Sequence, residues 1–125
     1  MKIQELMEAI SQSELDQVER FADGLWGKLG VDVEFTRHFM DRVNDERNGK
    51  PISSAELVRL FKKEYERNGK QISQLDGAEG VMKDLLTTVN LPFVIKDTQA
   101  GKELVAKTVM RKDQFKTPDP EYVVK

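Results

Sequence analysis

The chain has 125 residues, enough for one hydrophobic core, and its 38% hydrophobic and 34% charged residues suit a soluble globular protein rather than a disordered one. Cysteine is absent and there is one histidine, which excludes disulfides and the ordinary zinc constellations and fits a cytosolic compartment. The net charge of −2 is unevenly spread. Residues 1–34 carry 8 acids and 3 bases, and residues 35–125 carry 14 acids and 17 bases. A basic excess of this kind suits an anionic partner, and solvated helix faces produce it too.

The chain starts without a signal-type apolar run and nowhere reaches membrane-spanning length, so no membrane partner is expected. Ile3, Leu6, Met7 and Ile10 recur at helical spacing and predict a short amphipathic helix. Ser11 or Ser13 then offers a cap, with Glu14 or Asp16 at the matching capping-box position. Leu15, Val18, Phe21, Ala22, Leu25, Trp26 and Leu29 hold one face of the helix that follows, and Gly30 is placed to stop it in a left-handed conformation. Gly24 and Gly27, a turn apart beside Trp26, suggest close packing against another element.

Val31–Phe35 alternates apolar and acidic residues, the pattern of a half-buried strand. Thr36 can cap the next helix, on which Phe39, Met40 and Val43 face the core. His38, Asp41, Arg42 and Asp45 lie at the core's margin, and the helix is expected to end near Asn48-Gly49. The run Glu46-Arg-Asn-Gly-Lys-Pro-Ile-Ser53 returns as Glu66-Arg-Asn-Gly-Lys-Gln-Ile-Ser73, and each copy reads as helix end, glycine stop, extended link and serine cap. Ser53-Ser-Ala-Glu56 is a capping box. Behind it Leu57, Val58, Phe61 and Tyr65 form a buried stripe, with Arg59, Lys62, Lys63 and Arg67 mostly outside and Glu64 and Glu66 diluting that basic row.

Val81, Met82, Leu85, Leu86 and Val89 predict one more helix over residues 78–88. Leu91–Ile95, a turn at Asp97–Gly101 and a longer strand from Leu104 to Arg111 then read as an antiparallel hairpin. In that longer strand Leu104, Ala106, Thr108 and Met110 share one face, opposite Val105, Lys107, Val109 and Arg111. The tail, 112–125, has Pro118 and Pro120 and is expected to extend along the surface, anchored by Phe115 and Tyr122, or to be partly loose. The fold class is α+β: one domain with N-terminal helices packed on a small antiparallel sheet. Residues 1–30 form its acidic helical segment, 31–111 its core and 112–125 its tail.

No phosphate-binding loop, dinucleotide fingerprint or nucleophile elbow occurs. What remains is His38 with Arg42 one helical turn later. Cutting RNA without a metal needs a group that exchanges a proton near neutral pH and cations that hold the phosphate, and this pair can serve both needs on one helix face. Lys107, Thr108 and Arg111 on the late strand can add phosphate contacts if that strand lies beside the helix. A lone histidine next to Phe39 is also what a structural or surface position looks like, paired with Asp41 or Asp45.

The segment His38-x-x-x-Arg42-Val-x-x-Glu-Arg47, then Ile52-Ser and a helix, and late strands ending in Lys107-Thr-Val-Met-Arg111 resembles the barnase–EndoU–colicin–RelE superfamily. More narrowly, it looks like the small RNase-like domains of toxins and phage-encoded proteins. The resemblance implies helices against a curved antiparallel sheet and metal-independent RNA cleavage. It makes His38 the acid/base, Arg42 a phosphate binder and Thr108 the strand hydroxyl, with Lys107 and Arg111 as further substrate contacts and no cofactor or metal. The phrase Phe35-Thr-Arg-His-Phe also resembles uncharacterised tailed-phage proteins. Two partner classes follow from these readings. One is RNA; the other is a protein docked on the N-terminal helix or the C-terminal tail of a non-enzymatic phage structural or accessory protein.

Overall fold

The computed structural model describes residues 10–125 of the chain. The amphipathic helix expected from Ile3 to Ile10 lies, except for Ile10, outside the described residues. Helix α1, Gln12–Trp26, begins at Ser11, whose hydroxyl accepts the Glu14 amide while the Glu14 carboxylate accepts the Ser11 amide. Leu15, Val18, Ala22 and Trp26 are buried, whereas Phe21 is left 39% exposed. Gly30 closes the following turn at φ 75°, the left-handed stop expected of it. Gly24 and Gly27 face open space, so the close approach expected there is absent.

Strand β1, Val31–Phe35, buries its three apolar residues and exposes Asp32 and Glu34. Helix α2, Arg37–Arg42, starts at Thr36 and stops sooner than expected, a 3-10 turn over Glu46–Asn48 replacing its continuation. Helix α3, Ser54–Ser73, carries the Ser53–Glu56 capping box in full. It runs straight through Asn68-Gly69, the second copy of the repeat, so only the first copy punctuates. Gly69 is needed for clearance instead: a Cβ there would lie 2.9 Å from Leu29 Cδ1. Glu64, expected on the solvent face, is fully buried.

The sheet holds β2 Glu79–Asp84, β3 Val89–Thr98, β4 Gly101–Ala106, β5 Met110–Arg111 and β6 Glu121–Val124 in the order β1-β4-β3-β2-β6, with β5 pairing the start of β3. It is mixed rather than antiparallel, because β1 pairs β4 and β6 pairs β2 in parallel. One face packs beneath α1 and α3 around Phe35, Phe39, Phe61, Phe93 and Leu104. The β3–β4 hairpin is present, with only Gln99 and Ala100 between its strands. Along the open edge of β1, the Val33 and Phe35 amides donate to Asp23 and Glu19 of α1 at 2.9 and 2.7 Å. Those carboxylates occupy the edge amides that would otherwise template another strand.

Residues 78–88 are not helical. They form β2 and a tight turn, because β2 lies inside the sheet, between β3 and β6. A central strand carries apolar side chains on both faces, so Val81 and Met82 are buried side by side and the alternation that marks a strand is lost. Gly80 sits on β2 where a Cβ would come within 2.8 Å of the Tyr122 ring and 2.9 Å of the Phe93 ring. Gly80→Ala is therefore expected to lower stability by about 1–3 kcal/mol in urea denaturation, since two packed rings must shift. An unchanged midpoint would contradict that packing. The tail is extended and tied down: β6 buries Tyr122 and Val124, and Lys83 Nζ donates to the Phe115 carbonyl at 2.9 Å. Among the described residues, no helix is long and apolar enough to cross a membrane.

Candidate functional site

The single strand expected from Leu104 to Arg111 is broken at Lys107–Val109, and one residue explains the break. Lys107 donates its amide to the Pro92 carbonyl at 2.9 Å, but proline has no N–H to return the bond. The Lys107 carbonyl left over accepts the Thr36 hydroxyl at 2.9 Å, from 71 residues away. The same Thr36 oxygen accepts the Phe39 amide and so caps α2, while the Thr36 amide donates to the Ala106 carbonyl. A proline in β3 thus turns the end of β4 into a seat for the start of α2. His38 and Thr108 are brought to the same side of the molecule by that seat.

The second wall is held by Asn48, which is buried. Its side-chain amide donates to the Arg42 and Val43 carbonyls at 3.0 and 3.3 Å, and its Oδ1 accepts the Arg111 amide at 3.0 Å. Between the walls lies an open cleft of about 590 Å³. His38, Arg42, Asp45, Arg47 and Asn48 line one side, and Thr108, Val109, Met110, Arg111 and Lys112 the other. Among the described residues, four bases face a single acid there, and Val109 and Met110 add apolar lining.

His38 is exposed to solvent. Arg42 Nε approaches His38 Nε2 at 3.4 Å, a long contact. No carboxylate pairs with the imidazole among the described residues. Asp45, the acid expected as an alternative partner for His38, instead holds Arg42 and Arg47.

Arg111 lines the cleft but has no donor left for a substrate. Its Nε–H goes to the Lys50 carbonyl, and its two terminal nitrogens go to the Pro51 and Thr87 carbonyls and to both oxygens of Glu56. Burial alone would raise the Glu56 carboxyl, yet hydrogen bonds from Arg111 and from the Ser53 amide bring it below its ordinary value. Arg111 is a clamp that joins the loop before α3, the start of α3 and the β2–β3 turn. Lys107 is not among the cleft residues; its Nζ pairs with Glu79 at 2.6 Å.

Of the five site residues read from the sequence, His38, Arg42 and Thr108 share the cleft, Arg42 held there by Asp45, Arg111 shares it as structure, and Lys107 lies elsewhere. Arg47 and Lys112 are not among the site residues read from the sequence, and Asp45 is read there only as a partner for His38. Arg47 stood in the same Arg42-Val-x-x-Glu-Arg47 phrase, so its spacing was the available signal. Among the described residues, no three His, Cys, Asp or Glu side chains are grouped so as to hold a metal ion. Comparisons with known protein families, curated proteins and solved structures find no match to this chain.

Proposed function

We propose that this cleft binds single-stranded RNA along its phosphates and cleaves it by metal-independent transesterification, the chemistry of a RelE- or barnase-like domain. The observation that carries the reading is the convergence of His38, Arg42 and Thr108, from a helix and a distant strand break, on one open basic cleft. In such a reaction the 2′-oxygen attacks the adjacent phosphorus, the P–O2′ bond forms and the P–O5′ bond breaks. His38 Nε2, once its long Arg42 contact gives way to substrate, takes the 2′-hydroxyl proton, and the departing O5′ takes its proton from the imidazolium or from water admitted by the open cleft. Arg42 stands beside the imidazole to meet the charge that grows on the non-bridging oxygens, and the Thr108 hydroxyl donates to the same phosphate. Arg47 and Lys112, at the rims, hold the flanking phosphates.

The reading is tested by incubating the protein with an RNA and a DNA of one sequence in chelating buffer. RNA fragments ending in 2′,3′-cyclic phosphate, with the DNA intact, are expected. Intact RNA, or fragments with plain 3′-hydroxyl ends, would overturn it.

A further inference from the structure

Among the described residues, Asp45 is the only acid that lines the cleft, and two of the cleft's arginines hold its carboxylate. Arg42 Nη1 donates to Oδ2 at 2.9 Å. Arg47 grips both oxygens, Nε to Oδ1 at 3.1 Å and Nη2 to Oδ2 at 3.0 Å. This two-pronged grip is the geometry by which arginine holds a phosphate or a carboxylate alike. The Arg47 side chain is 73% exposed, against 24% for Asp45, so the arginine reaches in from solvent to a carboxylate already seated in the cleft.

We propose that Asp45 is a built-in competitor for the substrate phosphate. Its carboxylate occupies the Arg42–Arg47 pair in the empty cleft, and an incoming phosphodiester must displace it. This rests on the reading of the cleft as an RNA site. The competitor sets a threshold. A single phosphate achieves little by replacing a carboxylate already in place, whereas a chain also lays a neighbouring phosphate on Lys112, which Asp45 does not contest. The ligand class selected is a polynucleotide rather than a mononucleotide or free phosphate. The opposite role, in which Asp45 merely orients the arginines, predicts weaker binding when the carboxylate is lost.

Asp45 also caps the 3-10 turn by accepting the Arg47 amide at 2.8 Å, so the test keeps a capping oxygen. Asp45→Asn and Asp45→Ser are compared with wild type for binding a ten-nucleotide 2′-O-methyl RNA, which cannot be cut, alongside Asp41→Asn. Asp41 is exposed on α2, four residues before Asp45 and outside the cleft, and its variant removes the same charge. Binding about tenfold tighter in the Asp45 variants is expected, with little change in Asp41→Asn. The salt dependence should steepen by about 0.7 for each additional phosphate that the freed arginines neutralise. If wild type cuts RNA while the folded Asp45 variants bind no tighter, or Asp41→Asn tightens as much, the competitor role is overturned and the RNA reading stands. If wild type neither cuts RNA nor binds the oligomer, both fall together.

Discussion

Arg111→Ala is expected to lose about 3–5 kcal/mol of stability, the penalty for breaking a buried ion pair by removing one partner. The side chains of Arg111 and Glu56 are only 12% and 16% exposed, so water cannot fully take over the lost bonds. The substitution also strips partners from the Lys50, Pro51 and Thr87 carbonyls, and leaves Glu56 with its Ser53 contacts alone. Removing the stranded acid as well, in Arg111→Ala with Glu56→Ala, should recover part of the loss, because an unpaired buried charge is worse than none. The pair carries a pH signature too. Since the folded Glu56 carboxyl lies below its ordinary value, its contribution is present above that value and fades as pH falls through the folded one. Arg111→Ala should lose this acid sensitivity along with its stability. A loss under about 1 kcal/mol in denaturant titration, the range of exposed ion pairs, would contradict the clamp.

Glu64→Gln is expected to stabilise the protein at pH 8 and to flatten its stability between pH 5 and 8. Glu64 is wholly buried, Oε1 takes the Asn68 side-chain amide at 2.8 Å, and Oε2 has no close hydrogen-bond partner among the described residues. Burial pushes the carboxyl up to about 8 from 4.5, the Asn68 side chain and the Lys83 backbone N–H work against the shift, and the nearby Asp84 charge adds to it. Tyr122 of β6 lies within the same field, its hydroxyl raised first by burial and then by Glu64. Arg59 pairs with Asp84 at 2.8 Å, and among the described residues no base pairs with Glu64. A group whose folded pKa exceeds its unfolded one holds its proton more tightly in the folded state. Its stabilisation is complete below 4.5 and is lost as pH rises toward 8, at up to about 1.4 kcal/mol per pH unit. Urea titrations across that window test it. A wild-type curve that is flat from pH 5 to 8, or a Gln variant with the same slope, would contradict the neutral buried acid.

Local chemistry was legible in the sequence. The caps at Ser11, Thr36 and Ser53 and the left-handed stop at Gly30 depend on residues within a turn of one another, so spacing reveals them. Glycine that makes room was not legible: Gly69 reads as a helix stop and Gly80 falls in a segment that reads as helical, because the Leu29 and Phe93 groups that need their space are remote in sequence. The interior place of β2 hid it in the same way, since a strand covered on both faces shows a helix-like apolar run. Within the site, His38, Arg42 and Thr108 stood out by residue type. Their convergence rests on Pro92 and Thr36, whose joint effect is a missing ladder bond that no periodicity announces. Arg111 looked like a phosphate ligand because its partners, Glu56 and three carbonyls, come from other parts of the chain. Lys107 looked like one because the strand was read as unbroken, when it turns toward Glu79.

The central claim is that the His38 cleft is catalytic, and it is tested most directly by one rate comparison. Wild type and His38→Ala are purified in parallel and given one single-stranded RNA in chelating buffer, with thermal melts recorded on the same samples. Because His38 is exposed and its Arg42 contact is long, its loss should leave the melt unchanged. The rate should fall about 10²–10⁴-fold, the range for removing a positioned acid–base group. Equal rates for two equally folded proteins, or no cutting by wild type, would contradict it.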